Sequence, residues 1–399
     1  MEKIRVIKKL IDTDKFYELI STKDGDSLKE ITDLDLTNIK FQKKSDFCNL
    51  NFSGSLFDQA YLKYSRFYRC KLINASLKKT ELSYSSLEDS DLNNSDFTEA
   101  NLIGTNIQRC SLINTNFYNA NLEKLDFNIA LSNHHKLNIE NINFEGAILR
   151  KANFRGYNNC LPKEYLDLST CHFDNADLKG LVYDLKTIFP KGLNLEKRGA
   201  HLITAGISLE NVDLSFTNLY KAELSGANLT GVNLTGTKIS GANLTGANLH
   251  KATIIYDKTF GNNDLYFACF NQVNLSKATI IGIKSYNHRM CFNSADFTDA
   301  KLIDCAFTYS EMNGAKLANL CLDGFDFSNA ILKGVNFSNT SLRGSNFSSA
   351  DLRGANLQGC DLSGANLTHA VLTDTDLSET KLMGADLNKA HLEGAKMPD

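Results

Sequence analysis

From Phe292 to Met397 every fifth residue is Leu, Phe or Met, without a break. A period of five is neither the 3.6 of an amphipathic helix nor the 2 of an alternating strand, so neither element accounts for the run. A fixed, self-similar period is the mark of a solenoid. Such arrays grow by stacking one unit on the next. The 399 residues therefore do not imply several globular cores.

The register extends well beyond this run. Centres recur every five residues from Phe47 to Phe127 and again from Leu209 to Ile254, with Leu36 and Phe41 as a hesitant start. The core predicted from this pattern includes Phe47, Phe67, Leu87, Phe127, Phe154, Leu229, Leu244, Phe297, Phe327, Phe347, Leu367 and Leu387. The pattern fails near 128–141, 155–170, 184–199, 255–267 and 281–290 and resumes after each. Those stretches read as insertions into one array over 34–399, because insertions in repeat proteins map to loops. Pro162 and Pro190 fall inside two of them, where no ladder N–H is needed. Ahead of the array, Ile4, Ile7, Leu10 and Ile11 recur at helical spacing, and Asp12 to Asp14 offer a cap for a second apolar stripe. Residues 1–33 are expected to form a small helical cap over the open edge of the first coil.

Around the centres the repeat spells a small residue, then Asn or Asp, then Leu. Ala227-Asn228-Leu229, Ala242-Asn243-Leu244, Ala355-Asn356-Leu357 and Ala385-Asp386-Leu387 are direct examples. Here the chain resembles the pentapeptide-repeat family, whose pattern is A(D/N)LXX. The resemblance implies an all-β solenoid, a right-handed quadrilateral parallel β-helix with four pentapeptides per square coil. On that basis the array makes about 15 coils. Fold is what the resemblance specifies; function it leaves open.

The residues offer little chemistry. Cys70, Cys110, Cys171, Cys305 and Cys360 all stand two before a centre, in the slot otherwise held by Ala, Ser or Thr. They read as reduced, buried structural thiols; only Cys160 lies outside the register. His134-His135 has no Cys or carboxylate at ligand spacing, so no metal is expected. Ser378-Glu379-Thr380-Lys381 matches a Ser-x-x-Lys signature by letter only, since it bridges two faces of a coil rather than one helical turn. No catalytic residue and no cofactor is predicted, and the chain reads as a non-enzyme.

A surface is what remains. The breaks at 155–170 and 184–199 carry Tyr157, Lys163, Tyr165, Lys186, Phe189, Lys191, Lys197 and Arg198, and loops on a rigid scaffold often carry recognition. They are the candidate partner-binding loops of a protein–protein interaction scaffold. The last repeats leave Leu387, Leu392 and Met397 as a candidate end for a homodimer. Family resemblance adds a second reading, a DNA mimic that modulates DNA gyrase or topoisomerase IV. Residues 292–399 carry only about six net negative charges, under half of the roughly 15 on duplex of that length, so charge does not favour it. A third reading is a bacterial effector acting in host cells. Residues 1–11 show no apolar signal core, so a cytoplasmic protein is expected, or one exported without a cleaved signal peptide. Net charge of −3 gives no reason to expect direct nucleic-acid or membrane binding.

Overall fold

The computed structural model describes residues 28–41, 45–127, 139–155, 165–256, 267–285 and 289–398. These form a parallel β-solenoid, and no helix occurs among them. The chain folds as two compact units, Met1–Leu202 and Ile203–Asp399, where the sequence reading drew one array. The boundary directly follows 184–199, the stretch furthest from the five-residue law.

Unit one holds β1 (Lys29–Glu30), β2 (Leu50–Asn51), β3 (Asn153–Phe154), β4 (Leu166–Asp167), β5 (Val182–Tyr183), β6 (Thr187–Ile188) and β7 (His201–Leu202). Unit two holds β8 (Thr253–Ile255), β9 (Thr279–Ile281) and β10 (Lys301–Ile303). Sheets β1-β2, β3-β5-β7, β4-β6 and β8-β9-β10 are all parallel. Most faces are too short to count as strands and pair through single parallel bridges. One column in unit two runs Ser208, Asn228, Asn248, Asn274, Asp296, Lys316, Asn336, Asn356, Asp376, Lys396.

One face shows why five residues suffice. The Asn346 N–H donates to Phe325 O of the preceding coil (2.9 Å), and those of Phe347 and Ser349 donate to Asn366 O (2.7 Å) and Thr368 O (2.9 Å) of the next. The Ala350 N–H closes the corner onto Phe347 O (3.0 Å), with Ser349 at φ 57°. Only the Ser348 amide is left, and it donates to the Asn346 side-chain oxygen (3.0 Å). Asn or Asp before the centre is therefore a turn cap, chosen because it can accept a bond two residues on. The same side chain also donates to Asp326 of the coil before, 20 residues away (3.1 Å). Where Ser takes the slot, a neighbouring coil supplies the acceptor. Asp58 caps Lys78 (2.9 Å), Asn93 caps Ile113 (2.8 Å) and Asp323 caps Arg343 (2.9 Å).

The interior is a stack of centres. Phe97, Phe117, Phe144 and Phe173 follow one another at 5.1, 5.6 and 5.0 Å, and Phe327 lies over Phe347 at 5.0 Å. Phe47, Phe67, Leu87, Phe127, Phe154, Leu229, Leu244, Phe297, Phe327, Phe347 and Leu367 are all buried. Leu387 is only half-buried. Several hydroxyls and thiols in the small slot two before a centre donate to a centre's carbonyl. Thr80 bonds Phe57 O (3.0 Å), Cys110 bonds Leu87 O (3.0 Å) and Cys360 bonds Phe337 O (2.9 Å). Burial pushes the Cys110 thiol up to about 12.

Several expected boundaries move. Lys29–Glu30 is already solenoid, paired with Leu50–Asn51, so a cap reaching residue 33 is too long; residues 1–27 lie outside the described residues. Of the insertion expected at 281–290, Ile281 pairs in β9 and Lys284 bridges Ala306, so residues 281–285 are coil. Ile255 likewise pairs in β8. The stretch 184–199 is not an insertion. β5 stacks directly on β7, so the residues between them make one turn of ordinary length. True insertions widen single coils, with rung partners 27 apart at Asn116 and Asn143, 29 apart at Asn141 and Thr170, and 26 apart at Asn248 and Asn274.

Truncating Phe347 to Ala should cost about 3–5 kcal/mol through the cavity it leaves, whereas Asn346→Ala should cost only about 2 kcal/mol through its two lost bonds. Urea midpoints of the two variants test this ranking, and equal losses would contradict the division of labour between centre and cap.

Candidate functional site

Two successive coils of unit one break the compositional evenness of the array. Residues 61–80 contain Lys63, Arg66, Arg69, Lys71, Lys78 and Lys79 and no acidic residue. Residues 81–100 contain Glu81, Glu88, Asp89, Asp91, Asp96 and Glu99 and no basic one. The ladder lays the second on the first, since Tyr61 bridges Glu81, Arg66 bridges Ser86 and Lys71 bridges Asp91. Part of the charge cancels in place through Lys78–Asp96 (3.2 Å) and Lys79–Glu99 (3.4 Å).

The cap slots of the basic coil hold Tyr61, Arg66 and Lys71, none of which supplies a carboxamide or carboxylate oxygen. Three faces in succession thus lack a capping oxygen in this slot, as do those of Leu56, Ile148, Lys316 and Lys381. In exchange the coil gains an exposed aromatic–cationic corner. Tyr64 and Tyr84, one coil apart, stack at 5.8 Å with their planes 17° apart. Both are more than half exposed, and Tyr61 is exposed beside them. The Lys63 ammonium lies 5.1 Å from the Tyr64 ring and 5.6 Å from the Tyr84 ring, and it has no carboxylate partner among the described residues. Round the corner, Arg66 and Arg69 lie 4.8 and 4.9 Å from the Tyr68 ring. Arg66 reaches Asp46 only at 3.6 Å, with both side chains solvated. Tyr64, Ser65, Arg66, Tyr84 and Ser86 line a shallow recess of about 390 Å³.

The coil above fixes this geometry. Gly104 sits at φ +63°, and a Cβ there would come within 2.9 Å of the Tyr84 ring, so glycine lets that ring lie flat. Arg109 grips Asp89 through two bonds (2.6 and 2.8 Å) and also contacts Glu88. The Arg109 guanidinium holds the Asp89 carboxyl below the usual carboxylate range, with a smaller contribution from a Tyr68 hydrogen bond.

The residues predicted from sequence fall elsewhere. β4 paired with β6 sets Tyr165 beside Lys186, both exposed, and the Leu166 N–H donates to Lys186 O (2.8 Å). Leu185 and Ile188 add exposed apolar surface there. Lys191 and Lys197 are exposed. Phe189 is not a loop residue. It stacks over Leu168 as a coil centre and packs on Phe173 (5.7 Å) and Tyr183 (5.6 Å). Arg198 is tied down by a bond to Phe173 O (2.7 Å). Tyr157, Lys163 and Cys160 lie outside the described residues, as does His134-His135. No cluster of His, Cys, Asp and Glu that could hold a metal occurs among the described residues. No helix there is long and apolar enough to cross a membrane. In the last coil Leu392 is half-buried and Met397 exposed. The Tyr64–Tyr84 corner escaped the sequence reading because its residues occupy outward slots, to which a pattern of centres is blind.

Two family models match the chain. One, described as pentapeptide repeats, matches in eight copies over 207–255 and 291–397; the other, a pentapeptide repeat region, matches 39–135. Together they span more than half of the sequence, and the chain belongs to the pentapeptide-repeat family. Curated proteins give no match. Among solved structures, the chain is similar to HetL, a pentapeptide repeat protein involved in heterocyst differentiation regulation from the cyanobacterium Nostoc sp. strain PCC 7120. Identity is 19%, over 96% of this chain and 95% of that one, with a TM-score of 0.20. It is also similar to QnrB1, a plasmid-mediated fluoroquinolone resistance protein, at 17% identity over 60% and 92% of the two chains with a TM-score of 0.19. Rfr23 from the cyanobacterium Cyanothece 51142 matches at 20% over 40% and 90%, with a TM-score of 0.12. Similarities at these TM-scores carry no argument about function.

Because Asp89 titrates lower when folded than unfolded, its pairing with Arg109 stabilises fully above the ordinary Asp range near ~3.9 and is lost as pH falls through the folded value. Arg109→Met should therefore lower the thermal midpoint at pH 7, with the difference from wild type shrinking toward pH 3. A pH-independent difference would mean that the side chain acts through packing alone.

Proposed function

We propose that the chain is a non-enzymatic protein–protein interaction scaffold whose principal recognition surface is the corner formed by Lys63, Tyr64, Arg66 and Tyr84. The observation that carries this reading is the stacked, exposed tyrosine pair with an ammonium lying against both rings. Tyr and Arg are among the residues enriched at interface hot spots, and Tyr buries large area at small entropic cost. Tyr61, Arg66 and Lys71 put exposed aromatic and cationic groups where a capping oxygen could stand, which fits selection for surface over stability. The partner is a protein presenting an acidic segment with a flat side chain: carboxylates meet Lys63 and Arg66, and a ring or guanidinium lies on the tyrosines. Tyr165, Lys186 and the exposed Leu185 and Ile188 offer a second contact area on the same unit.

The DNA-mimic and effector readings draw on no observation of comparable specificity. Carboxylates of the regular C-terminal run are partly neutralised in place by Lys316, Lys333, Arg353 and Lys396. End-to-end pairing of two copies through the last coil is supported by the half-buried Leu387 and Leu392, the exposed Met397, and Met383, which is 81% exposed.

Binding of an acidic Glu/Tyr copolymer to the full chain should fall at least tenfold in the Tyr64→Ala/Tyr84→Ala variant and in Lys63→Glu. It should also weaken with salt. Tyr165→Ala/Lys186→Ala should retain more than half of it. Unchanged binding in the first two variants would sink the assignment of the corner. For pairing of copies, sedimentation of the full chain should show a dimer that Leu387→Asp dissociates; a monomer at tens of micromolar removes that proposal.

A further inference from the structure

In unit two, the outward column through Glu223 and Asn243 continues with Cys269, Cys291, Glu311 and Ile331. The cap slot thus holds cysteine on two adjoining coils in a row. These two thiols differ from Cys70, Cys110, Cys171, Cys305 and Cys360, which point inward and are buried, whereas Cys269 and Cys291 are half-buried. The rung between them is well formed. The Cys269 N–H donates to Ala242 O (2.9 Å), and that of Phe270 donates to Cys291 O (2.7 Å). Phe270 and Phe292, the centres beside them, stack at 4.9 Å. Paired parallel strands stand about 4.8 Å apart, inside the roughly 4.4–6.8 Å that a disulfide spans between Cα atoms. Both side chains leave the same side of the same ladder.

The surroundings are polar and built around this pair. The Cys269 sulfur lies 3.2 Å from the Thr245 hydroxyl, and the Cys291 sulfur 3.9 Å from a Glu311 carboxylate oxygen. Arg289 pairs with that carboxylate. Cysteine cannot cap the turn as Asn does, and the Asn293 amide instead takes its acceptor from Asn271 of the coil before (2.9 Å). The array thus reroutes a backbone bond to accommodate cysteine here.

We propose that Cys269 and Cys291 are a redox-sensitive modification site, oxidised by low-molecular-weight disulfides to a disulfide that staples two adjoining coils. One thiol, as thiolate, attacks a sulfur of the small disulfide and displaces one thiolate, leaving a mixed disulfide on the protein. The second protein thiolate then attacks the protein-side sulfur of that mixed disulfide and expels the remaining small thiolate. Two protein thiols are oxidised, one small disulfide is reduced to two thiols, and the two protons lost by the protein go to the leaving thiolates. Burial holds the Cys291 thiol above its ordinary range, opposed in part by Arg289, so exchange accelerates as pH rises.

The test uses the full chain incubated with oxidised glutathione at pH 7 and 8.5, then digested without reduction. The expected product is a peptide pair joining Cys269 to Cys291, formed faster at pH 8.5 and released by dithiothreitol. A rise of a few degrees in thermal midpoint should accompany it and be absent from oxidised Cys269→Ser. In Cys269→Ser and Cys291→Ser the remaining cysteine should stop at the glutathione adduct. Exposed Cys321 is the internal control. Glutathione on Cys321 with no 269–291 link, or with stable adducts on both cysteines of the pair, overturns the proposal.

Discussion

Every five-residue face depends on the disposal of five backbone N–H groups. Four are consumed by the neighbouring coils and by the corner, and the fifth falls to the side chain before the centre. At Asn346 that bond is 3.0 Å long, and the same side chain steadies the coil before it. Buried or half-buried amides left without partners are costly, so the cap allows a turn as tight as five residues. The apolar centres then only have to fill the bore. This division explains why Leu and Phe exchange freely at the centres while the preceding slot is so often Asn or Asp.

Much of the fold was legible for that reason. Period, centre and cap are all local, and they repeat often enough that single exceptions do not hide them. What was illegible is equally physical. Tyr183 and Phe189 are six apart rather than five, and only pairing with β3 and β4 shows that both are centres. The insertions were visible as lost register, but the coil at 184–199 looks the same in sequence because its side chains, not its length, depart from the rule.

The candidate corner was illegible for another reason. Tyr64 and Tyr84 meet because 20 residues return the chain to the same place one coil on. Lys63 and Arg66 join them from two faces. Reading in fives sorts residues into inward and outward slots and discards which outward slots coincide. The polarity of charge between residues 61–80 and 81–100 appears only when the sequence is written one coil per line. The thiol pair at 269 and 291 is hidden further, because the coil between them is longer than 20 residues, and only the ladder shows them as one rung.

An array of near-identical coils faces a hazard that a single-core protein escapes. Any coil can, in principle, dock on any other, since the same amides meet the same carbonyls. Apolar centres offer little discrimination, as one Leu stack resembles the next. A coil of cations followed by a coil of carboxylates does discriminate. Sliding the chain by one coil during folding would separate Lys78 from Asp96 and Arg109 from Asp89. The charged pair of coils thus acts as an address within an otherwise degenerate text, telling the folding chain which coil is which.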